Sequence, residues 1–337
     1  MPIPRLGPLA DTAPGLPERW SALGTYVVLR VSNPTLIPDA TRLVRDVLDE
    51  VDRTCSRFRA DSELSRANAA AGRWSPASPT LIGAVTVALR AAVDTEGLVD
   101  PGLGELIRAA GYDRTFAQVR PSLDPVCLPL PPTAHWSQID LRDDAIRVPS
   151  GLALDLGATG KAYAADLAAL AVADALGADV VLSVGGDVRA ARMDPPDSGE
   201  RGRGSARHTG WSVDIGPDLA WLEGPRGPVT RVTLDDGGLA TSSRTARRWR
   251  RGGQVWHHVF DPRTGRPADG PWISATAWGP TAAQANTLST AALVLGAGAP
   301  EWIDARGAAV LLTRADGTTW ASAAWARAIG IRPGEVA

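Results

Sequence analysis

A segment of eleven residues, His257 to Pro267, combines two imidazoles, a carboxylate and two guanidinium groups. Asp261 and Pro262 suit the first two positions of a turn and Gly265 can adopt a positive φ, so the sequence predicts a rigid turn at 261–265 after a strand. A rigid polar turn can hold a ligand, and an imidazole can transfer protons near neutral pH. A solvated surface hairpin is the alternative interpretation of this segment taken alone.

A second candidate site lies at residues 152–161, where a predicted strand runs into Gly157, Gly160 and Lys161 before an alanine-rich helix extending to about Leu176. The first turn of a helix presents unpaired backbone N–H groups, and Lys161 adds an ammonium group, so this pattern indicates anion binding. It is not a Walker A loop, because only two residues separate the glycines and Ala162 stands where Ser or Thr would bind Mg²⁺. The alternative is a glycine-containing turn with an exposed lysine.

Two further segments are rich in small residues. The buried-type strand 180–184 ends in Gly185-Gly186-Asp187, where paired glycines permit close approach of the backbone to a ligand or another element. Residues 238–243 are predicted to form a small-residue turn with three hydroxyl groups, and five arginines around Trp249 follow it. On a chain with net charge -2, such a local cluster favours a solvated face or one anion site over nucleic-acid binding.

A helix is predicted over residues 282–295. Thr281 and Gln284 have the spacing of a capping box, and Gly296 follows the last helical residue. Asn286 and Thr290 lie four residues apart and therefore share one helix face. A carbonyl oxygen and a hydroxyl are suitable ligands for Mg²⁺, whereas hydrogen bonding to the preceding turn is the alternative role.

Composition narrows the classes of function. The chain has 337 residues, enough for one large or two smaller domains, and balances 35 basic against 37 acidic residues, so no global field favours nucleic acid or an anionic membrane. Cys55 and Cys127 have neither disulfide-framework nor zinc-site spacing. No transmembrane stretch or signal-peptide core is evident, so we expect a cytoplasmic protein, with export of a longer form as the alternative.

The elements that must position these residues alternate between helices and short strands. A strand is predicted at 24–31, and helices are predicted at about 41–59 and 78–95, the latter with Ser78 as N-cap. We expect residues 1–20 to form a Pro-rich lead and residues 193–209 a flexible insertion. The pattern indicates mixed α and β structure without the regular βα rhythm of a doubly wound sheet.

In order along the chain, these segments resemble the ApbE family of FAD:protein FMN transferases from about residue 24 to residue 325. Each motif is loose alone, but six in the same order are specific. The resemblance is carried by Ser56-Arg57-Phe58 with Ser62-Glu63-Leu64 and Asn68, Asp100-Pro101 with Gly111-Tyr112-Asp113, Asp155-Leu156-Gly157 with Lys161, Gly185-Gly186-Asp187, Ala240-Thr241-Ser242, and His258 to Gly265.

The resemblance implies a flavin-binding α+β fold of mixed sheets with packed helices, formed by one domain at 21–330. It also implies FAD as donor, Mg²⁺ as cofactor, and transfer of FMN to a Thr or Ser hydroxyl of an acceptor flavoprotein with release of AMP. Two alternatives remain: a Mg²⁺-dependent FAD pyrophosphatase that yields FMN and AMP, and a non-catalytic FAD-binding protein.

The resemblance further implies a set of site residues. His258 and Lys161 are the implied catalytic residues, whereas strand alternation points His257 to the opposite face. The implied metal ligands are the main-chain carbonyl of Gly160 with Asn286 and Thr290, and Asn286 stands where the family usually has an acid. Flavin- and phosphate-binding roles are implied for Ser56, Glu63, Leu64, Asp100, Tyr112, Asp155, Gly157, Lys161, Gly185, Gly186, Asp187, Thr241, Ser242, His258, Asp261, Arg263 and Thr264.

Overall fold

The computed structural model describes residues 16–128, 135–192 and 210–328. The predicted insertion at 193–209 and the first fifteen residues of the predicted lead lie outside the described residues. Within those ranges, antiparallel sheets pack against helices, which confirms the predicted α+β fold. None of the helices in these ranges is both long and apolar enough to span a lipid bilayer.

The strands form the frame of the site. Their bounds are β1 Glu18–Ala22, β2 Thr25–Val31, β3 Trp74–Pro76, β4 Asp140–Leu141, β5 Ala145–Arg147, β6 Val180–Val184, β7 Asp187–Ala191, β8 Trp211–Ile215, β9 Thr230–Leu234, β10 Gly237–Ser243, β11 Arg248–Arg251, β12 Gln254–His257, β13 Phe260–Asp261, β14 Arg266–Pro267, β15 Trp272–Gly279, β16 Val310–Arg314 and β17 Thr319–Ala321. An eight-stranded sheet has the order β1-β2-β6-β7-β10-β15-β16-β17, with antiparallel neighbours throughout.

Helices pack on both faces of this sheet. Their bounds are α1 Ile37–Cys55, α2 Glu63–Ala69, α3 Pro79–Asp94, α4 Gly104–Ala109, α5 Gly160–Leu176, α6 Leu219–Glu223, α7 Ala282–Leu295, α8 Ala299–Ala305 and α9 Ala323–Ala328. Helices α5 and α7 pack directly on the central strands, and α1 packs on α5. Because α5 is buried on several sides, its sequence is alanine-rich rather than amphipathic.

Local sequence signals explain where these helices begin and end. The hydroxyl of Ser78 accepts a hydrogen bond from the Leu81 N–H at 3.4 Å, and that of Thr281 accepts one from the Gln284 N–H at 3.1 Å. Gly296 has φ 60 directly after α7, as predicted for a residue that ends a helix. The helix predicted at 41–59 is present with both ends shifted toward the N-terminus, as α1.

Two sequence predictions differ from the fold. Residues 152–156 form no regular strand: Ala153 makes an isolated bridge to Leu103, and the Asn68 amide side chain bonds both the N–H and the C=O of Leu154, at 2.8 and 3.0 Å. Residues 238–243 form most of central strand β10 rather than a turn. Small residues suit this position because α7 crosses closely above it, so a Cβ at Gly238 would overlap the backbone of Ala282.

The opposite face of the large sheet is covered by the β8–β9 hairpin and α9. Trp211, Val213 and Trp325 pack there against the outward side chains of β2, β6 and β7. A separate aromatic cluster near β11 and β12 contains Tyr112 and Trp249. A cleft lies between this cluster and the ends of α5 and β6.

Candidate active site

A cavity of about 490 Å³ brings most of the predicted site residues together. This volume is within the usual range for a small-molecule or cofactor site. A smaller cavity of about 140 Å³ adjoins it and includes Ser56 and Gly160 in its wall. The predicted residues that line the larger cavity are Asp100, Tyr112, Asp155, Gly157, Lys161, Gly185, Gly186, Asp187, Thr241, Ser242, His258, Asn286 and Thr290.

The tight turn between β6 and β7 places Asp187 at the wall of the cavity. Val184 pairs with Asp187 in the ladder, so Gly185 and Gly186 form a two-residue hairpin turn, with φ values of 65 and 98. Such a turn requires positive φ at both central positions, which favours glycine. A Cβ at Gly185 would also overlap the hydroxyl of Thr25 on the neighbouring strand. The paired glycines therefore have a structural reason, as their sequence pattern suggested.

Asp187 is the buried carboxylate at the centre of the site. It is 2% exposed, it accepts a hydrogen bond from Asn286 Nδ2 at 3.0 Å, and its Oδ2 lies 3.4 Å from Lys161 Nζ. A buried charge of this kind is stable only when it is paired and hydrogen-bonded. Asp187 thus connects the first turn of α5, the β6–β7 hairpin and α7 at one point.

Oxygen atoms of α7 and β10 continue this cluster. The Thr290 hydroxyl lies 3.5 Å from Asn286 Oδ1 and 2.8 Å from the Ser242 hydroxyl. Asn286 thus turns its N–H toward Asp187 and its oxygen toward Thr290. Amide, hydroxyl and carboxylate oxygens are the donor set of a hard cation such as Mg²⁺, which keeps part of its water shell.

The cluster also determines what kind of metal site fits. In the described part of the chain, no group of three or more His, Cys, Asp or Glu side chains is arranged to hold a metal ion. Asp187 supplies one carboxylate, and its Oδ2 is paired with Lys161 Nζ at 3.4 Å but accepts no hydrogen bond from the described residues. The residues present therefore fit Mg²⁺ only as a mixed site, in which a phosphate ligand supplies further negative charge. Gly160 lines only the adjoining smaller cavity.

The first turn of α5 is supported by an ion pair with the segment after α1. Asp155 Oδ2 lies 2.6 Å from Arg57 Nε, and Asp155 Oδ1 accepts the Gly157 N–H at 2.6 Å. The Arg57 guanidinium also donates to the Tyr112 carbonyl at 2.7 Å and lies over the Phe58 and Tyr112 rings. Arg57 is thus fully engaged by protein groups and holds an aromatic wall of the cleft in place.

The two adjacent histidines face opposite sides, as strand alternation predicts. His257 Nε2 lies 3.0 Å from the Ala268 carbonyl, away from the cleft, and burial lowers the pKa of His257 to about 4. His258 lines the cleft, where burial, followed by the nearby Arg247 and Lys161 cations, lowers its pKa well below the ordinary value. A neutral imidazole at pH 7 can accept a proton directly.

The turn at 261–265 forms as predicted, but its polar groups bond to one another rather than facing the cleft. The Gly265 N–H donates to the Asp261 carbonyl at 2.9 Å, and Gly265 has φ 67. Both oxygens of Asp261 pair with Arg263, at 2.9 and 2.8 Å, and Arg263 also donates to the Val294 carbonyl. Asp261, Arg263 and Thr264 line neither cavity. In this structure the turn anchors the segment that carries His258.

Two predicted residues of the first motif also lie away from the cleft. Glu63 Oε2 accepts the Ser78 N–H at 2.8 Å, so this carboxylate connects the start of α2 to the start of α3. Leu64 is fully buried in the main hydrophobic core. These contacts explain why residue 63 is acidic and residue 64 is apolar.

Sequence reasoning did not single out Arg247 or Tyr26, which both line the cleft. Arg247 is one of five arginines around Trp249 that the sequence does not distinguish. Tyr26 lies on β2, where burial, and secondarily Asp187, raises its pKa. A tyrosine on a predicted core strand carries no signal that would separate it from ordinary packing.

The fold of this chain is similar to that of solved ApbE structures. The chain aligns with the ApbE protein of Thermotoga maritima at a TM-score of 0.73 and 23% identity, covering 93% of this chain and 99% of that one. It aligns equally well with the apo flavinyl transferase ApbE of Pseudomonas stutzeri, at a TM-score of 0.73 and 22% identity over 95% and 99% of the two chains.

The chain belongs to the ApbE family, whose model matches residues 23–312. It is 28% identical over 302 residues to the FAD:protein FMN transferase of Salmonella typhimurium, covering 83% of this chain and 79% of that relative. It is also 28% identical over 298 residues to the enzyme of the same name from Treponema pallidum, covering 81% and 77% of the two chains. The resemblance carried by the six motifs is therefore confirmed.

Proposed function

We propose that this protein transfers FMN from FAD to a Thr or Ser hydroxyl of an acceptor flavoprotein, in a Mg²⁺-dependent reaction that releases AMP. The observation that carries the proposal is the meeting of Lys161, His258 and the Asp187–Asn286–Thr290 oxygen cluster in one cleft of a chain that belongs to the ApbE family. The names of the curated relatives support FAD as the FMN donor.

The chemistry requires charge neutralisation and proton transfer. The acceptor hydroxyl oxygen forms a bond to the phosphorus of the FMN unit, and the bond from that phosphorus to the bridging oxygen breaks, so AMP leaves with that oxygen. In this proposal Lys161, in the first turn of α5, balances charge on the phosphoryl oxygens together with backbone N–H groups of that turn. The neutral His258 ring accepts the proton that the hydroxyl loses.

The oxygen cluster holds the metal in this proposal. Asn286 Oδ1, the Thr290 hydroxyl and the Asp187 carboxylate would hold Mg²⁺, which would supply positive charge next to the pyrophosphate. The protein contributes one carboxylate to this set, so the substrate completes the charge balance. Metal affinity is therefore expected to be much higher in the presence of FAD than in its absence.

The proposal is tested by incubating the protein with FAD, Mg²⁺ and candidate acceptor domains. Covalent fluorescent flavin on the acceptor together with an equal amount of AMP supports the transferase. Chromatography of FAD incubated without an acceptor identifies the pyrophosphatase alternative, in which free FMN accumulates. FAD that is bound but recovered intact in every reaction would indicate the non-catalytic alternative and would contradict the transferase.

A further inference from the structure

Arg247 lies where the two cavities of the site meet. Its side chain and that of Lys161 line both the cavity of about 490 Å³ and the adjoining cavity of about 140 Å³. Arg57 also lines both cavities, so three cations lie at the junction between the two spaces. A ligand that extends from one cavity into the other passes beside these cations.

Arg247 also differs from the other cleft cations in its partners. Arg57 is paired with Asp155 at 2.6 Å, and Lys161 with Asp187 at 3.4 Å. Arg247 is half-buried, and among residues 16–128, 135–192 and 210–328 its side chain makes no hydrogen bond or ion pair. Partial burial of an unpaired charge is unfavourable, so a bound anion at this position would compensate the desolvation cost.

The neighbouring arginines show that this placement is specific to one member of the cluster. Arg244 is paired with Asp269 at 2.9 Å, outside the cavities. Arg248 and Arg250 are exposed on β11 and line neither cavity. Arg247 lies close enough to His258 for its positive charge to lower the pKa of the imidazole. This effect of Arg247 is larger than that of Lys161. Arg247 is therefore near the group that we place at the reacting centre.

We propose that Arg247 binds the diphosphate of the substrate, opposite Lys161, and so sets the preference of the site for a diphosphate-linked flavin over a flavin without phosphate. The assignment rests on the proposed function, because FAD is the substrate considered. A planar guanidinium can donate two parallel hydrogen bonds to phosphate oxygens, whereas the Lys161 ammonium acts as a compact charge. The pair would hold the diphosphate at the cavity junction, with the two halves of the dinucleotide on either side.

The test compares the affinity of the protein for FAD and for riboflavin, measured by flavin fluorescence titration. For Arg247→Gln, we expect the Kd for FAD to rise about tenfold to a hundredfold, as for loss of a charge-assisted hydrogen bond, and the Kd for riboflavin to change less than about twofold. Arg247→Lys keeps the charge and is expected to recover part of the FAD affinity. Arg250→Gln, an exposed arginine of the same cluster, is the matched control and should bind both flavins like the wild type.

An equal loss of FAD and riboflavin affinity in Arg247→Gln would overturn the assignment, since the residue would then act on the flavin ring or on the fold. Unchanged FAD affinity in that variant would overturn it as well. If Arg247→Gln does not fold, either of two other results would overturn the assignment. One is a normal FAD affinity of the phosphate-repelling variant Arg247→Glu, and the other is a loss of FAD affinity in Arg250→Gln. Failure of the wild type to flavinylate any acceptor would refute the proposed function instead. A selective loss of FAD affinity in Arg247→Gln would still support diphosphate binding by Arg247 in that case.

Discussion

Replacing Asn286 by Asp tests the geometry of the oxygen cluster most directly. Asn286 Nδ2 donates to Asp187 Oδ1 at 3.0 Å in a position where both side chains are buried. Asn286→Asp substitutes a carboxylate oxygen for the donor, so two carboxylates face each other at hydrogen-bond distance. We expect the variant to be destabilised in the absence of metal and to regain stability when Mg²⁺ binds.

The size of the effect follows from the distance. Two unit charges about 3 Å apart repel by about 5 kcal/mol at an effective dielectric constant of about 20. Sharing one proton relieves this repulsion, at a cost of about 1.4 kcal/mol for each pH unit above the ordinary carboxyl pKa of about 3.9. That cost is about 4 kcal/mol at pH 7 and about 1.5 kcal/mol at pH 5. Lys161 offsets part of it, so we expect a loss of about 2 to 4 kcal/mol at pH 7.

The sign of the pH dependence is part of the prediction. The folded variant holds a carboxyl whose pKa is raised, so it binds more protons than the unfolded chain, and the penalty grows as pH rises above about 4. Thermal unfolding at pH 5 and pH 7, with and without millimolar Mg²⁺, measures this loss of stability. Mg²⁺ at a hundred times its Kd would add about 2.7 kcal/mol and close most of the gap at pH 7.

Asn286→Ala is the matched control. It removes the hydrogen bond to Asp187 without adding charge, so it should cost about 1 to 3 kcal/mol with little change between pH 5 and pH 7. If Asn286→Asp melts at the wild-type temperature at both pH values without metal, the contact between residues 187 and 286 is wrong. If Mg²⁺ stabilises the variant no more than it stabilises Asn286→Ala, the cluster is not a metal site.

Three further predictions concern the same cleft. Lys161→Ala and His258→Ala should each lower flavin transfer by at least about a hundredfold while both variants remain folded; His258→Ala should melt near the wild type, whereas Lys161→Ala should melt lower because buried Asp187 loses its cation, and loss of the folded state would make these residues structural. Burial and Arg247 lower the pKa of His258, so the rate of flavin transfer should stay constant as pH falls to 6.5 and decline only below that value. A rate that is already half-maximal above pH 6.5 would contradict the role of neutral His258 as the base. Gly185→Ala should lower the free energy of unfolding by about 1 to 3 kcal/mol, measured by thermal or denaturant unfolding, because φ is 65 at this position and a Cβ would overlap Thr25. Wild-type stability of this variant would show that the turn has another conformation.

Features that depend on a few consecutive residues were predictable. The caps at Ser78 and Thr281 and the positive φ of Gly265 follow from side-chain and backbone preferences that act within a single turn. Strand alternation also predicted that His257 and His258 face opposite sides, although β12 ends at His257 and His258 lies in the bend that follows it. The order of the six motifs identified the family, because it combines many such local signals over the length of the chain.

Features that depend on contacts between distant segments were less predictable. Residues 238–243 contain the small side chains of a turn, yet they form a central strand because α7 packs closely over them. Asp261 and Arg263 carry polar groups typical of a ligand site, yet they pair with each other outside the cleft. In both cases the residue types fit two environments, and packing selected one of them.

The amino-acid sequence by itself determined which residue types are available for chemistry, where helices α3 and α7 begin, and that the two adjacent histidines face opposite sides. The tertiary structure decided which of those groups meet. Asn286 and Asp187 are 99 residues apart in the chain and bond only because α7 lies across the β6–β7 hairpin. Of the five arginines around Trp249, Arg247 alone lines both cavities, for the same reason. Side-chain preferences act within a few residues, whereas a shared cleft is created by the packing of helices on the sheet.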